Sequence, residues 1–333
     1  VTERSLRTDD EEGYDRPRRR TRPRTKDRPD YTKAEVAIVI TVDRGRYHVR
    51  LETDDQPVLA TKARQLGRTG VIVGDRVRVV GDTTGGEGTL ARIVEVLPRR
   101  TVLRRTADDD DPYERPIVAN ADQLVIVTAL ADPPPRTGMI DRILVAGFEA
   151  GIDPLLCLTK SDLASPEELR AAYEPLGVPV QAIQPGADLS ALRAVLHDRV
   201  SVFVGHSGVG KSTLVNALIP GTGRATGVVN ETTGRGRHTS SSAIALQLPD
   251  HDGWVIDTPG VRSFGLSHVT PAKIIAAFGD LSSFAVDCPR GCTHTADEPD
   301  CALDLAVARG ELGPERLASF RRMLVAPRGY ANQ

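Results

Sequence analysis

Gly205-His206-Ser207-Gly208-Val209-Gly210-Lys211-Ser212-Thr213 follows the apolar run Val200–Val204 and leads into the helical stretch Lys211–Leu218. A buried strand, a glycine-rich turn and a helix, in that order, make a G-x-x-x-x-G-K-[ST] loop. Gly205, Gly208 and Gly210 let the backbone wrap phosphate oxygens with its N–H groups. The positive end of the following helix adds to the attraction. Lys211 is expected to reach the β- and γ-phosphates, and Ser212 to ligate Mg²⁺. A plain glycine-rich connector would need neither the strand before it nor the helix after it.

Outward from this loop, the chain beyond Pro116 alternates strand and helix. Gln123–Ala129, Pro154–Leu158, Val178–Ala182, Ala243–Leu248 and Trp254–Ile256 read as strands. Arg136–Ala150, Glu167–Leu176 and Leu189–Leu196 read as helices. That alternation predicts a parallel α/β sheet, which binds ligands past the carboxyl ends of its strands. Two further motifs lie there. Asp257-Thr258-Pro259-Gly260 is a D-x-x-G turn. Asp257 suits Mg²⁺ through a water, and the Gly260 N–H suits the γ-phosphate. Thr159-Lys160-Ser161-Asp162 resembles the guanine-reading [NT]-K-x-D motif of GTPases. The Asp162 carboxylate can accept from guanine N1–H and its exocyclic amine, a pattern adenine does not offer. Lys160 would cover the base with its alkyl stem. Thr159 stands where most GTPases have Asn, and its hydroxyl can keep part of that hydrogen bonding. In an ordinary GTPase the guanine reader comes last. Here it comes first, so the domain reads as circularly permuted.

Hydrolysis needs a group that orients water. Val261, directly after Gly260, cannot do this. The polar, glycine-rich stretch 230–242 reads as a switch, and His238 within it is the candidate catalytic residue. A neutral imidazole orients water or accepts its proton near pH 7; the plainer alternative is a surface-loop histidine. One hydroxyl among Thr239, Ser240 and Ser241 completes the Mg²⁺ shell, with Thr239 or Ser240 the leading candidates.

Cys288, Cys292, His294 and Cys301 supply three thiolates and an imidazole with gaps of three, one and six residues. A complete Cys₃His set suits one structural, tetrahedral Zn²⁺ per chain, with no position left open for catalysis. Cys157 lies in an apolar strand and reads as core. Four cysteines in 333 residues do not make a disulfide scaffold.

The flanks differ in character. Residues 1–34 carry an acidic patch and a run of arginines with few apolar side chains, so a disordered charged extension is expected. An RNA-binding arm is the alternative. Residues 35–104 hold five β-rich runs: Ala34–Val42, Tyr47–Glu52, Val58–Lys62, Arg76–Val80 and Thr89–Val96. They suggest an OB-fold barrel, with an SH3-like barrel as the alternative. A basic linker, Pro98–Arg105, closes this section. The expected architecture is multidomain: an all-β OB-fold barrel (35–104), a circularly permuted α/β P-loop GTPase domain (105–268) and a helical zinc-binding domain (269–333). The net charge of −2 by itself points to no polyanion partner. No apolar run approaches the ~20 residues of a membrane span, so a cytoplasmic protein without a membrane partner is expected.

Taken together, these features resemble the RsgA family of small ribosomal subunit biogenesis GTPases. The likeness rests on the barrel, Leu97-Pro98-Arg99, Leu103-Arg104-Arg105 and the permuted motif order. It rests also on the GHSGVGKST loop, Gly234-Arg235-Gly236-Arg237-His238-Thr239, Asp257–Arg262 and the cysteine–histidine cluster. It implies hydrolysis of GTP to GDP and phosphate, stimulated by the small ribosomal subunit during its late maturation. It implies contact of the barrel and zinc domain with ribosomal RNA, supports His238 as the hydrolytic residue, and goes with a monomer. The cluster's spacing departs from the family's C-x₄-C-x-H-x₅-C. The usual Ser-Ala guanine contact has no clear counterpart near Gln181-Ala182.

Overall fold

The first five strands are β1 (Glu35–Asp43), β2 (Arg46–Leu51), β3 (Pro57–Lys62), β4 (Arg76–Gly81) and β5 (Ala91–Val96). The structure is a computed structural model that describes residues 30–67, 69–106, 113–221, 243–260, 270–276 and 278–325. The charged extension up to residue 29, His238, Thr239, Ser240, Ser241 and Val261 lie outside the described residues.

Period-two patterning builds the barrel. In β2, Tyr47, Val49 and Leu51 point inward while Arg46 and His48 face solvent. The ring closes in the order β1-β2-β3-β5-β4 with β4 returning to β1, and β3–β5 is its parallel contact. Ala37, Val39, Val58, Val77, Val79 and Ile93 fill it. This is the OB-like barrel expected, with strand ends shifted by one or two residues.

The stretch read as a basic linker is structured. β6 (Val102–Arg105) pairs antiparallel with β7 (Arg115–Ala119), so a boundary after residue 104 falls inside a strand. Its arginines are also engaged. Arg99 donates Nε and Nη2 to Asp75 at 2.6 and 2.8 Å, and Asp75 is fully buried. Arg100 donates to Asp122 at 2.9 Å, whose other oxygen accepts the Val200 N–H. Asn120 ties the hairpin to the barrel, donating to the Gly74 carbonyl at 2.9 Å.

The second half holds β8 (Gln123–Ala129), α1 (Thr137–Glu149), β9 (Asp153–Thr159), α2 (Glu167–Tyr173), β10 (Val180–Ile183) and α3 (Ser190–Leu196). It continues with β11 (Arg199–Gly205), α4 (Lys211–Leu218), β12 (Ile244–Gln247) and β13 (Gly253–Asp257). The sheet runs β10-β9-β8-β11-β13-β12, parallel except for β12. Every residue of β8 is buried, as a central strand covered by helices on both faces requires. β12 also pairs antiparallel with β1, through Ile244 and Thr41, so barrel and α/β sheet form one continuous sheet. Arg50 braces that seam, donating to Gln247 at 2.9 Å and lying over the Trp254 ring.

Among the described residues, four C-terminal helices follow: α5 (Pro271–Ala276), α6 (Gly279–Ala285), α7 (Ala302–Ala308) and α8 (Pro314–Val325). Phe278 stacks edge-on against Phe148 of α1 and Phe320 of α8. Arg322 of α8 donates to Asp141 of α1 at 2.9 Å and lies over the Tyr173 ring. Burial pushes the Asp141 carboxyl up, and Arg322 only partly offsets it. Among the described residues, no helix is long and apolar enough to cross a membrane.

Candidate functional site

Strand register converges the three motifs. Ala129 of β8 lies opposite Thr159, Val127 opposite Gly205, and Phe203 of β11 opposite Asp257. Each motif therefore leaves the sheet at its carboxyl edge, from β9, β11 and β13 in turn. The glycine-rich loop turns at Gly208 and Gly210, both at φ +85°, a conformation that side chains resist. α4 then starts at Lys211. Ser212 and Thr213 stand on its first turn, and Val209 is buried. The His206 imidazole Nδ1 lies 2.7 Å from the Ser207 carbonyl and donates to it.

Lys211 is almost fully buried, and its ammonium donates to the Asp257 carboxylate and the Thr258 carbonyl. Thr258 in turn donates its hydroxyl to the Phe203 carbonyl at 2.8 Å, pinning the turn to β11. A Cβ placed on Gly260 would lie 3.4 Å from Ser207 N and Cα, so this glycine packs directly on the loop.

The earlier motif meets the same loop from the other side. The Thr159 hydroxyl donates to the Val209 carbonyl at 2.6 Å. Lys160, at φ +57°, donates to the Asp132 carbonyl. The Ser161 N–H donates to the Ile183 carbonyl at 3.2 Å, so the end of β10 lies beside the turn. Asp162 is exposed. Neither the Val209 carbonyl nor the Asp132 carbonyl was readable from sequence, because a backbone acceptor leaves no residue-type signature.

The cysteine–histidine donors also converge. Cys288, Cys292 and Cys301 Sγ lie 3.5, 3.4 and 3.8 Å from His294 Nδ1, and Cys288 Sγ lies 3.9 Å from Cys301 Sγ. A tetrahedral ion with M–S of about 2.3 Å and M–N of about 2.05 Å puts S···S near ~3.8 Å and S···N near ~3.6 Å. The donor set fits such an ion and could hold it. Gly291 at φ +88° and His294 at φ +60° make the tight turn. The Ala302 N–H donates to Cys288 Sγ at 3.3 Å. Burial lowers the His294 imidazole pKa, which favours the neutral ligand form. Arg321 holds the His294 carbonyl at 3.0 Å while paired with Asp304, tying the cluster to α8.

A family model described as RsgA GTPase matches residues 96–267. A protein of Azotobacter vinelandii named small ribosomal subunit biogenesis GTPase RsgA is 42% identical over 265 residues, covering 77% of this chain and 75% of that one. A protein of the same name from Shewanella oneidensis is 35% identical over 298 residues, covering 86% and 82%. The crystal structure of YjeQ from Thermotoga maritima superposes with a TM-score of 0.65 at 26% identity, over 89% of this chain and 99% of that one. YloQ, described as a circularly permuted GTPase, shares the fold at a TM-score of 0.65. With its guanine-type motif ahead of its glycine-rich loop in sequence and against it in space, the chain is a GTP hydrolase belonging to the RsgA GTPase family.

Proposed function

We propose that this enzyme binds the small ribosomal subunit and assists its late maturation, hydrolysing GTP in a ribosome-stimulated cycle. The contact of Thr159 with Val209 carries the nucleotide reading, because it brings two distant motifs to one corner. Within it, the loop 205–213 holds the phosphates, with Lys211 leaving Asp257 to meet the β- and γ-oxygens. Ser212, Asp257 through a water, and Thr239 or Ser240 would hold Mg²⁺. When bound, Mg²⁺ neutralises charge that develops on the phosphates. Asp162 reads the base, Lys160 covers it, Gly260 donates to the γ-phosphate, and His238 orients water. Cys288, Cys292, His294 and Cys301 hold Zn²⁺, which fits three thiolates and an imidazole at these distances.

The barrel supplies an RNA-binding face. Arg46, Thr61 and Arg92 lie side by side across β2, β3 and β5. Both arginines are exposed, and among the described residues neither pairs with a carboxylate. The barrel is joined through β1 to β12, which follows the proposed switch, so switch movement has a direct route to the RNA face. The corresponding domains are a barrel beginning at residue 35, a GTPase domain ending at residue 268 and a metal-binding helical domain (269–333), in a cytoplasmic monomer.

Phosphate release with and without small subunits tests the cycle, together with co-sedimentation in GDP and in a non-hydrolysable GTP analogue. Stimulated release that depends on His238, and tighter sedimentation with the analogue, are expected. Equal release in the two conditions would remove the ribosome from the reading.

A further inference from the structure

Thr159 was expected at the base, yet its proton is committed elsewhere. The residue is 7% exposed. Its Oγ1 lies 2.6 Å from the Val209 carbonyl and 3.3 Å from the Thr128 carbonyl. Both neighbours are acceptors, and a hydroxyl has one proton to give. The shorter contact takes it. The residue cannot swing away cheaply. Thr159 is paired with Ala129 on one side and Ile183 on the other, and its carbonyl accepts the Leu130 N–H at 3.0 Å. Its Oγ1 also lies 3.5 Å from the place a Cβ on Gly210 would occupy, so it backs the φ +85° turn of the loop.

We propose that Thr159 is a positioning residue for the glycine-rich loop, and that its hydroxyl gives no hydrogen to the purine N7 edge. An asparagine amide has two N–H donors, enough for both the loop carbonyl and a ring nitrogen. A threonine hydroxyl has none to spare. Loss of the N7 acceptor is therefore tolerated, and since N7 is common to both purines, guanine is told from adenine at the Asp162 edge. This rests on the proposed guanine and phosphate sites, and deepens them into a statement about base specificity.

The test compares GDP, ADP and 7-deaza-GDP, which lacks the N7 acceptor, by calorimetry on the full chain. The natural chain is expected to bind GDP and 7-deaza-GDP within about twofold. Thr159→Val removes the donor, strands the buried Val209 carbonyl, and weakens both nucleotides by the same factor, about tenfold. Thr159→Ser keeps the proton and restores both. Because affinity is read on the folded, titratable fraction, simple loss of stability does not imitate this pattern. A natural chain that prefers GDP over 7-deaza-GDP by tenfold overturns the proposal. So does a Thr159→Val variant that binds both as tightly as the natural chain, or weakens GDP alone. ADP binding as tightly as GDP to the natural chain fails the underlying guanine reading instead, before any variant is made.

Discussion

Arg99 sits in a basic segment that, in sequence, looks free to meet RNA, and its replacement separates the two roles. Asp75 is fully buried and accepts three hydrogen bonds: two from Arg99, at 2.6 and 2.8 Å, and one from the Ile72 N–H at 2.8 Å. Arg99→Ala removes two of the three and strands a carboxylate in the wall between barrel and hairpin. Removing one partner of a buried ion pair costs about 3–5 kcal/mol. The Arg99 side chain is 21% exposed, so water can follow it out, and about 3 kcal/mol is the figure to expect. At about 2–4 °C per kcal/mol for a large domain, the melting temperature should fall by roughly 6–12 °C. Arg92→Ala serves as the contrast: an exposed cation without a carboxylate partner among the described residues, it should leave melting unchanged. Its loss should weaken RNA and lower the slope of log K against log salt by about one. Calorimetric melting and a salt titration of RNA binding decide the matter. If Arg99→Ala melts like the natural chain and loses RNA in the manner assigned to Arg92, the buried-pair argument is wrong.

Three further outcomes are expected. Asp162→Asn should lower GDP affinity by about two to four orders of magnitude, because two charge-assisted bonds are lost, and should favour xanthine nucleotides; unchanged GDP binding would remove Asp162 as base reader. One equivalent of metal should co-purify with the chain, and chelation should loosen the segment between Cys288 and Cys301 to protease while GDP still binds; thiols that alkylate equally fast with and without chelator would argue against a bound ion. Burial alone would raise the Asp280 pKa, but the Arg316 hydrogen bonds and charge outweigh it and hold it below the ordinary carboxylate range. A depressed carboxylate stabilises above its unfolded pKa and loses that contribution as pH falls through the folded one. The melting gap between the natural chain and Asp280→Asn should therefore be steady at neutral pH and close below about pH 4, and a gap that widens there contradicts the sign.

Several elements could be read without coordinates because they depend on local pattern. α4 begins at Lys211 and ends at Leu218 as expected, since a glycine turn fixes one end of it. The barrel strands follow the alternation of apolar residues, and the metal donors follow a spacing that brings four ligand atoms together. The hairpin β6–β7 was not legible, because Arg99 and Arg100 just ahead of it look like linker residues until their carboxylate partners are known. Asp75 and Asp122 stand 24 and 22 residues from those arginines. Nor was the β1–β12 seam, since an edge strand carries no mark of which strand will cover it.

Residue order alone determined the nature of this protein: a glycine-rich loop, a D-x-x-G turn and a T-K-x-D turn, each read from chemistry confined to a few neighbouring positions. What only the tertiary structure decided is where scarce protons and charges go. Thr159 gives its single hydrogen to Val209, 50 residues on, and Lys211 rests on Asp257. Strand register sets such pairings across the sheet, and register is a property of the packed whole, since each strand's apolar face must be buried by others distant in the chain.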